Sequence, residues 1–291
     1  MNHARGPMQT HVVEVTQPCR DHFEVVLRAT QFAYALPGQF IQILCRDTDQ
    51  QSLTPMLRRP FSIGGLQQTN DGALLNVLGH VIGPGTRWLS QLKIGDTVDI
   101  IGPLGSSFSL PTNDCKAILI AGGIGLPPVR WFGERLANES RPACAIFGAR
   151  NKNLIPMAVR SAPHTDATPN NCLAPFSDIG IDAVVTTEDG SLGMRGRVTD
   201  ALKVILDRAP DQSFAVYACG PNPMLEAIAD LCAKHEVACE VALERVMGCG
   251  MGTCQSCVVP VKDAAAQDGW RYGLCCSEGP VFDATRVIWQ P

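Results

Sequence analysis

The chain has 291 residues, 45% hydrophobic and 18% charged, with 21 prolines and 27 glycines, which points to two or three globular domains. A formal net charge of -4 and the lack of any long Lys/Arg run leave no basic field for a nucleic-acid backbone, so nucleic-acid binding is set aside. No apolar run reaches membrane-spanning length and the N-terminal "MNHARGPMQTHVVEV" has no apolar signal core, so a cytoplasmic protein without membrane segments is expected.

From His11 to about Pro111 the chain reads as short strands: "HVVEV", "HFEVVLRA", "QFIQILCR", "RPFSIGG", "ALLNVLGHV" and "DTVDIIG". They carry β-branched residues in partly alternating order and are bounded by Pro-Gly, Asn-Asp-Gly, Gly-Pro-Gly and Gly-Pro-Leu-Gly turns. Such spacing predicts a small antiparallel β-barrel, with one helix over Gly85 to Leu92. After Asn113 the pattern changes. "KAILIAGGIG" is a buried strand running into glycines, and "LPPVRWFGERLANE" is a helix that tolerates Pro127 and Pro128 in its first turn. Strands "ACAIFGAR", "DAVVTTEDG", "SFAVYACG" and "CEVALE" then interleave with helices "VTDALKVILDR" and "PNPMLEAIADLCAKHE", the signature of a parallel sheet flanked by helices. "SAPHTDATPNN" is a polar loop between units.

From about Glu244 the chain is rich in glycine and cysteine and carries few helix signals. A piece this short is expected not to bury a core of its own, which points to a metal centre as its support. The predicted fold class is therefore multi-domain β plus α/β. An N-terminal antiparallel β-barrel covers 1–112, a Rossmann-like parallel α/β domain covers 113–243, and a small metal-dependent unit covers 244–291.

Cysteine usage supports that division. Thirteen cysteines in a cytosolic chain indicate thiols or metal ligation rather than disulfides. Eight are scattered, mostly in apolar context, as small buried side chains, but five fall between Cys249 and Cys276. Cys249-x4-Cys254-x2-Cys257 is the plant-type [2Fe–2S] spacing, which needs a distant fourth thiolate, and "CCSEGP" offers Cys275 and Cys276. Gly248, Gly250 and Gly252 allow a tight loop that aims N–H groups at sulfur. A zinc site more often presents two short C-x2-4-C pairs; that and a redox thiol pair are the alternatives.

Four further stretches suggest nucleotide chemistry. In "LRRPFSI" an arginine on a strand can clamp a diphosphate and a serine can reach a ring nitrogen, although a surface Arg beside a strand is the commoner meaning. "GPGTRWLS" places Gly85 and Thr86 at a helix start, where free N–H groups favour anions. "AGGIGLPP" and "YACGPNPML" are glycine turns at two strand ends, where open parallel sheets bind nucleotides, though neither is the G-x-G-x-x-G fingerprint. No H-E-x-x-H, P-loop or G-x-S-x-G is present, so the hard chemistry is expected to belong to cofactors.

Taken in order, "RRPFSI", "GPLG", "AGGIG", "YACGPNPML" and the cysteine tail resemble the ferredoxin–NADP reductase superfamily. Within it, the tail reading "CSEGPVF" is most similar to the electron-transfer subunits of NAD-dependent dihydroorotate dehydrogenases. The resemblance implies FAD, NAD and a [2Fe–2S] cluster as cofactors. It implies Arg59, Pro60, Phe61 and Ser62 as the flavin motif, with Arg59 on the FAD diphosphate and Ser62 near the isoalloxazine. Asn76, Val77 and Leu78 would line the FAD, and Gly85 and Thr86 would meet its diphosphate. Gly122, Gly123, Gly125, Cys219, Gly220 and Pro221 would face the nicotinamide nucleotide, and Cys249, Cys254, Cys257 and Cys276 would hold the cluster. The implied partner is an FMN-containing catalytic dihydroorotate dehydrogenase subunit in a hetero-oligomer. The alternatives are a reductase subunit of a hydrogenase or ferredoxin-dependent complex and, from another class, an interaction protein with a structural zinc tail. Two departures stand out: Leu126-Pro127-Pro128 where the family usually has Ala-Pro, and a "GPG" before Thr86 that is fuller than a plain Gly-Thr; the family also often has a larger residue at position 76.

Overall fold

The computed structural model describes residues 6–30, 32, 34–46 and 55–289. Its first part contains β1 (Pro7–Thr16), β2 (His22–Ala29), β3 (Phe40–Ile43), β4 (Arg59–Ser62), β5 (Gly65–Thr69), β6 (Gly72–His80), helix α1 (Pro84–Ser90) and β7 (Thr97–Leu104). These strands form one antiparallel seven-stranded sheet in the order β4-β3-β7-β1-β2-β6-β5. Alternation sets its inner face. Phe23, Val25, Leu27 and Ala29 of β2 and Ala73, Leu75 and Val77 of β6 point into one core, in a register that pairs Val25 with Val77 and Leu27 with Leu75. The two edges of the sheet, β4 and β5, are separated in the chain only by Ile63 and Gly64. The Gly64 N–H donates to the Asn76 carbonyl at 2.8 Å, so this connection is itself held against β6.

The second part holds β8 (Lys116–Gly122), α2 (Leu126–Asn138), β9 (Ala143–Ala149), α3 (Ala174–Ser177), β10 (Asp182–Thr187), β11 (Met194–Arg195), α4 (Val198–Arg208), β12 (Phe214–Cys219), α5 (Asn222–Lys234) and β13 (Ala238–Ala242). Its strands are parallel, with β8 paired to β9 on one side and to β12 on the other. Both faces of β8 are buried. Ile118 and Ile120 pack under α4 and α5, while Ala117, Leu119 and Ala121 pack under α2. A strand covered on both sides needs an unbroken apolar run, which is how "AILIA" reads. The chain leaves β8 in one direction through the sheet and returns beside it at β12, so the crevice between these two strand ends is a topological switch point.

The tail forms the β14 (Val258–Lys262) and β15 (Trp270–Leu274) hairpin and then β16 (Val281–Asp283). Here the structure corrects an expectation. The tail is not left without hydrophobic support: Cys257, Val259, Val261, Cys275, Cys276, Phe282, Ala284 and Val287 belong to the same core cluster as α4 and α5. β16 pairs antiparallel with β13, Phe282 opposite Val241, and extends the parallel sheet. A segment too short to enclose a core needs only an existing apolar face and an open sheet edge, and β13 supplies both.

The units interlock. Phe40 of β3 packs into the core cluster shared by the tail and α5, Leu78 of β6 into the α2 cluster, and Trp131 of α2 into the core of the first sheet. Each such burial contributes roughly 2–3 kcal/mol relative to exposure, so the three parts are held in one arrangement. Among the described residues no helix is long and apolar enough to cross a membrane.

Candidate functional site

The flavin-motif residues Arg59, Pro60, Phe61 and Ser62 make up β4, all partly buried, in register with Ile43, Gln42, Ile41 and Phe40 of β3. Arg59 reaches α1: a Cβ built at Gly85 would lie 3.3 Å from Arg59 Cγ, and the Arg59 guanidinium donates to the Leu57 and Arg58 carbonyls at 2.8 and 3.2 Å. Gly85 is buried against Arg59 and Cys45, so these two predicted residues are brought together. Thr86 faces inward along its own turn, its hydroxyl accepting from the Ile82 and Gly83 N–H groups at 2.9 and 3.0 Å.

Asn76, Val77 and Leu78 occupy three different environments. Val77 is in the core of the first sheet, Leu78 packs in the α2 cluster, and the Asn76 side chain belongs to a polar bridge. Asn76 Nδ2 donates to Glu24 at 2.7 Å, and Arg130 of α2 donates to Asn76 Oδ1 at 2.9 Å, to the Gly64 carbonyl at 3.0 Å and to Glu24 at 3.2 Å. With their side chains committed in this way, the three residues offer a ligand mainly backbone.

At the switch point the two glycine turns touch. A Cβ at Gly125 would overlap the Cys219 carbonyl oxygen, and one at Gly122 would overlap Met224 Sδ and approach Pro221 Cδ at 3.3 Å. Gly220 lies against Met224 and the Gly122 nitrogen. Gly122, Gly125, Cys219, Gly220 and Pro221 therefore line one crevice, with Gly123 open beside it. Burial, and then the nearby Glu244 carboxylate, push the Cys219 thiol up to about 12, so it stays protonated at neutral pH. The Leu126-Pro127-Pro128 departure has a visible role: all three are buried at the start of α2, and a Cβ at Gly64 would stand 3.1 Å from Pro127 Cβ. The nucleotide loop thus packs on the continuation of the flavin-motif strand.

The cysteine loop shows two pairs. Cys249 and Cys254 exchange N–H···S contacts at 3.4 Å each, and the Cys276 N–H points at Cys257 Sγ at 3.4 Å. The loop aims two more amides at sulfur: Met251 N–H at Cys249 (3.4 Å) and Gly252 N–H at Cys276 (3.1 Å). Cys275 instead turns its thiol to the Leu243 carbonyl at 3.5 Å, and burial pushes it up to about 12. Hydrogen bonds from Ser256 and then Cys249 hold the Cys254 thiol down at about 6, while burial and the Cys257 contact push Cys276 up to about 11. Among the described residues no three His, Cys, Asp or Glu side chains converge as a site for one metal ion. Two cysteine pairs laced by backbone donors suit a two-iron centre, with one pair to each iron, and the residues fit that group.

The sequence reading missed one residue at this junction. Gln42 of β3 is fully buried, with Nε2 3.9 Å from Met247 Sδ and, among the described residues, no partner for Oε1. Its amide fills the space a Cβ at Gly250 would need, and Gly250 has φ +76, so only glycine suits that position. In register Gln42 stands opposite Pro60, so one side chain touches the cluster loop from the strand beside the flavin motif. The signal was available as a lone amide inside the apolar run "FIQIL".

Comparison with known proteins bears directly on this geometry. A family model of the oxidoreductase NAD-binding domain matches residues 119–230, and one of the iron–sulfur cluster binding domain of dihydroorotate dehydrogenase B matches residues 244–288. The dihydroorotate dehydrogenase B (NAD(+)) electron transfer subunit of Desulforamulus reducens is 36% identical over 256 residues, covering 88% of either chain. The chain belongs to this electron transfer subunit family. Its member from Listeria monocytogenes is 32% identical over 95% of this chain and 96% of its own. As an electron transfer subunit of the family, the chain is an NAD(+)-linked oxidoreductase component with an iron–sulfur-binding module in its tail. A solved NADH-dependent reduced ferredoxin–NADP oxidoreductase superposes with a TM-score of 0.77 at 26% identity, over 96% of this chain and 90% of that one. The ferredoxin reductase of carbazole 1,9a-dioxygenase shares the fold with a TM-score of 0.62 at 24% identity over 80% of this chain.

Proposed function

We propose that this subunit relays electrons between NAD+ and a catalytic, FMN-containing subunit that oxidises dihydroorotate to orotate in pyrimidine biosynthesis. The observation that carries the reading is the convergence on β3 and β4. The nucleotide loop meets the chain just past β4 through Pro127 and Gly64, and the cysteine loop meets β3 through Gly250 and Gln42. When bound, FAD would supply the exchange of one hydride, two electrons, for two single electrons, and a [2Fe–2S] cluster would carry one electron at a time, so no side chain is needed as acid or base.

The chain's own residues hold and orient. Arg59, with Gly85 and Thr86, binds the FAD diphosphate, Ser62 meets the flavin ring, and the backbone of Asn76, Val77 and Leu78 lines it. The turns of Gly122, Gly123 and Gly125 and of Cys219, Gly220 and Pro221 receive NAD. Cys249 with Cys254, and Cys257 with Cys276, ligate the two irons. The first sheet, whose edges run into each other through Ile63 and Gly64, closes as the flavin-binding barrel. The functional units follow 1–112, 113–243 and 244–291, and the assembly is a cytoplasmic hetero-oligomer. Val246, 86% exposed and just before the cysteine loop, and Met251, 53% exposed and within it, present apolar surface and form the docking face for the catalytic subunit.

Co-expression with a dihydroorotate-oxidising subunit, followed by anaerobic purification, tests this directly. The expected complex contains flavin, iron and acid-labile sulfide and reduces NAD+ with dihydroorotate. A chain that carries the cofactors but couples only to ferredoxin would favour the second reading, to which the full-length likeness to the ferredoxin–NADP oxidoreductase points.

A further inference from the structure

Ser256, whose hydrogen bond to Cys254 is described above, is not among the residues assigned to hold a cofactor. Ser256 sits between Gln255 and Cys257, where the chain turns through a left-handed Gln255 at φ +55. That turn folds the Ser256 hydroxyl back over the loop. Its Oγ accepts the Gly248 N–H at 2.9 Å and lies 3.2 Å from Cys254 Sγ. Among the described residues, Cys254 is the one cysteine of the four candidate ligands whose sulfur is bonded by a side-chain hydroxyl; backbone N–H groups point at the other three.

The direction of this bond follows from counting protons. A hydroxyl has one hydrogen and two lone pairs, and the Gly248 N–H occupies a lone pair, so the hydrogen stays free. A cysteine that ligates iron has lost its proton and can only accept. We propose that Ser256 is a redox-positioning residue that donates an O–H···S hydrogen bond to the Cys254 sulfur of the cluster and raises the cluster's reduction potential.

The physical basis is charge. Reduction adds one negative charge, which spreads onto the ligand sulfurs, and a donor on sulfur stabilises the reduced form more than the oxidised form. Cys254 also accepts the Cys249 N–H at 3.4 Å, so its sulfur takes backbone donation as well as the hydroxyl on the exposed side of the loop. Water can solvate the same sulfur, but it is not fixed in place. Ser256 is held by Gly248, so its dipole is aimed before the electron arrives.

The inference rests on the cluster reading, and the experiment separates the two. The wild-type holoprotein is first assayed for iron and acid-labile sulfide; a chain without sulfide overturns the cluster reading and this inference with it. With the cluster present, resonance Raman spectra in H2O and D2O are expected to show an isotope shift in the iron–cysteine stretching bands. Ser256→Ala is expected to diminish that shift and lower the midpoint potential in an EPR-monitored titration, leaving several-fold less reduced cluster at a fixed potential. Ser256→Thr, which keeps the hydroxyl, is expected to restore both. A Ser256→Ala protein with unchanged midpoint and unchanged isotope shift would overturn the proposal, and so would a Ser256→Thr protein that behaves like the alanine variant. Because the isotope shift is read first on the wild type, its absence there also overturns it, whatever the variants' stability.

Discussion

Cys275 and Cys276 begin the hydrogen-bonded turn after β15, and their thiols face different surroundings. Cys276 Sγ receives the Gly252 N–H at 3.1 Å, and Cys275 faces the Leu243 carbonyl inside the core shared with α5. We expect Cys276→Ser to abolish the cluster's visible absorption. Cys275→Ser should retain it and lose about 1–2 kcal/mol of stability, the cost of setting a hydroxyl in place of a buried thiol. Absorption spectra with matched iron and sulfide assays decide between them, and the reverse outcome would shift the ligand register by one residue. Spacing alone narrowed the fourth ligand to this pair, because both cysteines fall within its reach, and the family resemblance favoured Cys276. The structure adds that the Cys275 side of the turn is already occupied by core.

Elements place the nucleotide crevice. β8 and β12 are neighbours although about a hundred residues separate them in the chain, and their terminal turns contact each other because each is rich in glycine. Gly125 shows why. Its φ of -72 suits any residue, so the constraint is space and not backbone strain. A methyl group there would press into the Cys219 carbonyl and part the two turns. Gly125→Ala is expected to cost about 1–3 kcal/mol through overpacking and to weaken nicotinamide-nucleotide binding at least tenfold. Isothermal titration with the folded variant measures the affinity, and wild-type affinity would remove the crevice from this strand pair. The glycines were legible in the sequence, as was the alternation of strands and helices. Their mutual contact was not, since it depends on strand order, which no local pattern encodes.

At the scale of the whole molecule, two polar side chains lock the units in place. Arg130 ties α2 to β2, β6 and the β4–β5 connection through Glu24, Asn76 and Gly64. The pair with Glu24 is partly buried, at 18% and 24% side-chain exposure, which takes it out of the class of exposed ion pairs worth little. We expect Arg130→Ala to cost roughly 1–3 kcal/mol and to lower the unfolding temperature by several degrees in calorimetry. Arg130→Lys should recover only part, because an ammonium cannot span three acceptors in one plane. Gln42 does the corresponding work between β3 and the cluster loop. Gln42→Ala opens a gap beneath Gly250, and we expect it to speed iron loss to a chelator severalfold while flavin content stays at wild-type level. Equal loss of flavin and iron would show that Gln42 supports the whole fold and not the loop.

What the sequence determined by itself was local chemistry: strand alternation in the first part, the βα pattern in the second, the cysteine spacing in the tail and the glycines at the turns. Each is written in neighbouring residues, because backbone periodicity and ligand spacing act over a few positions. Tertiary structure decided the rest. The tail, which reads as too short to hold itself, is carried by a core and a sheet edge that belong to α5 and β13. Gln42, Arg130 and Trp131 take their meaning only from partners far along the chain. Burial is a property of the assembled surface, and an isolated stretch of sequence does not state which other stretch will cover it.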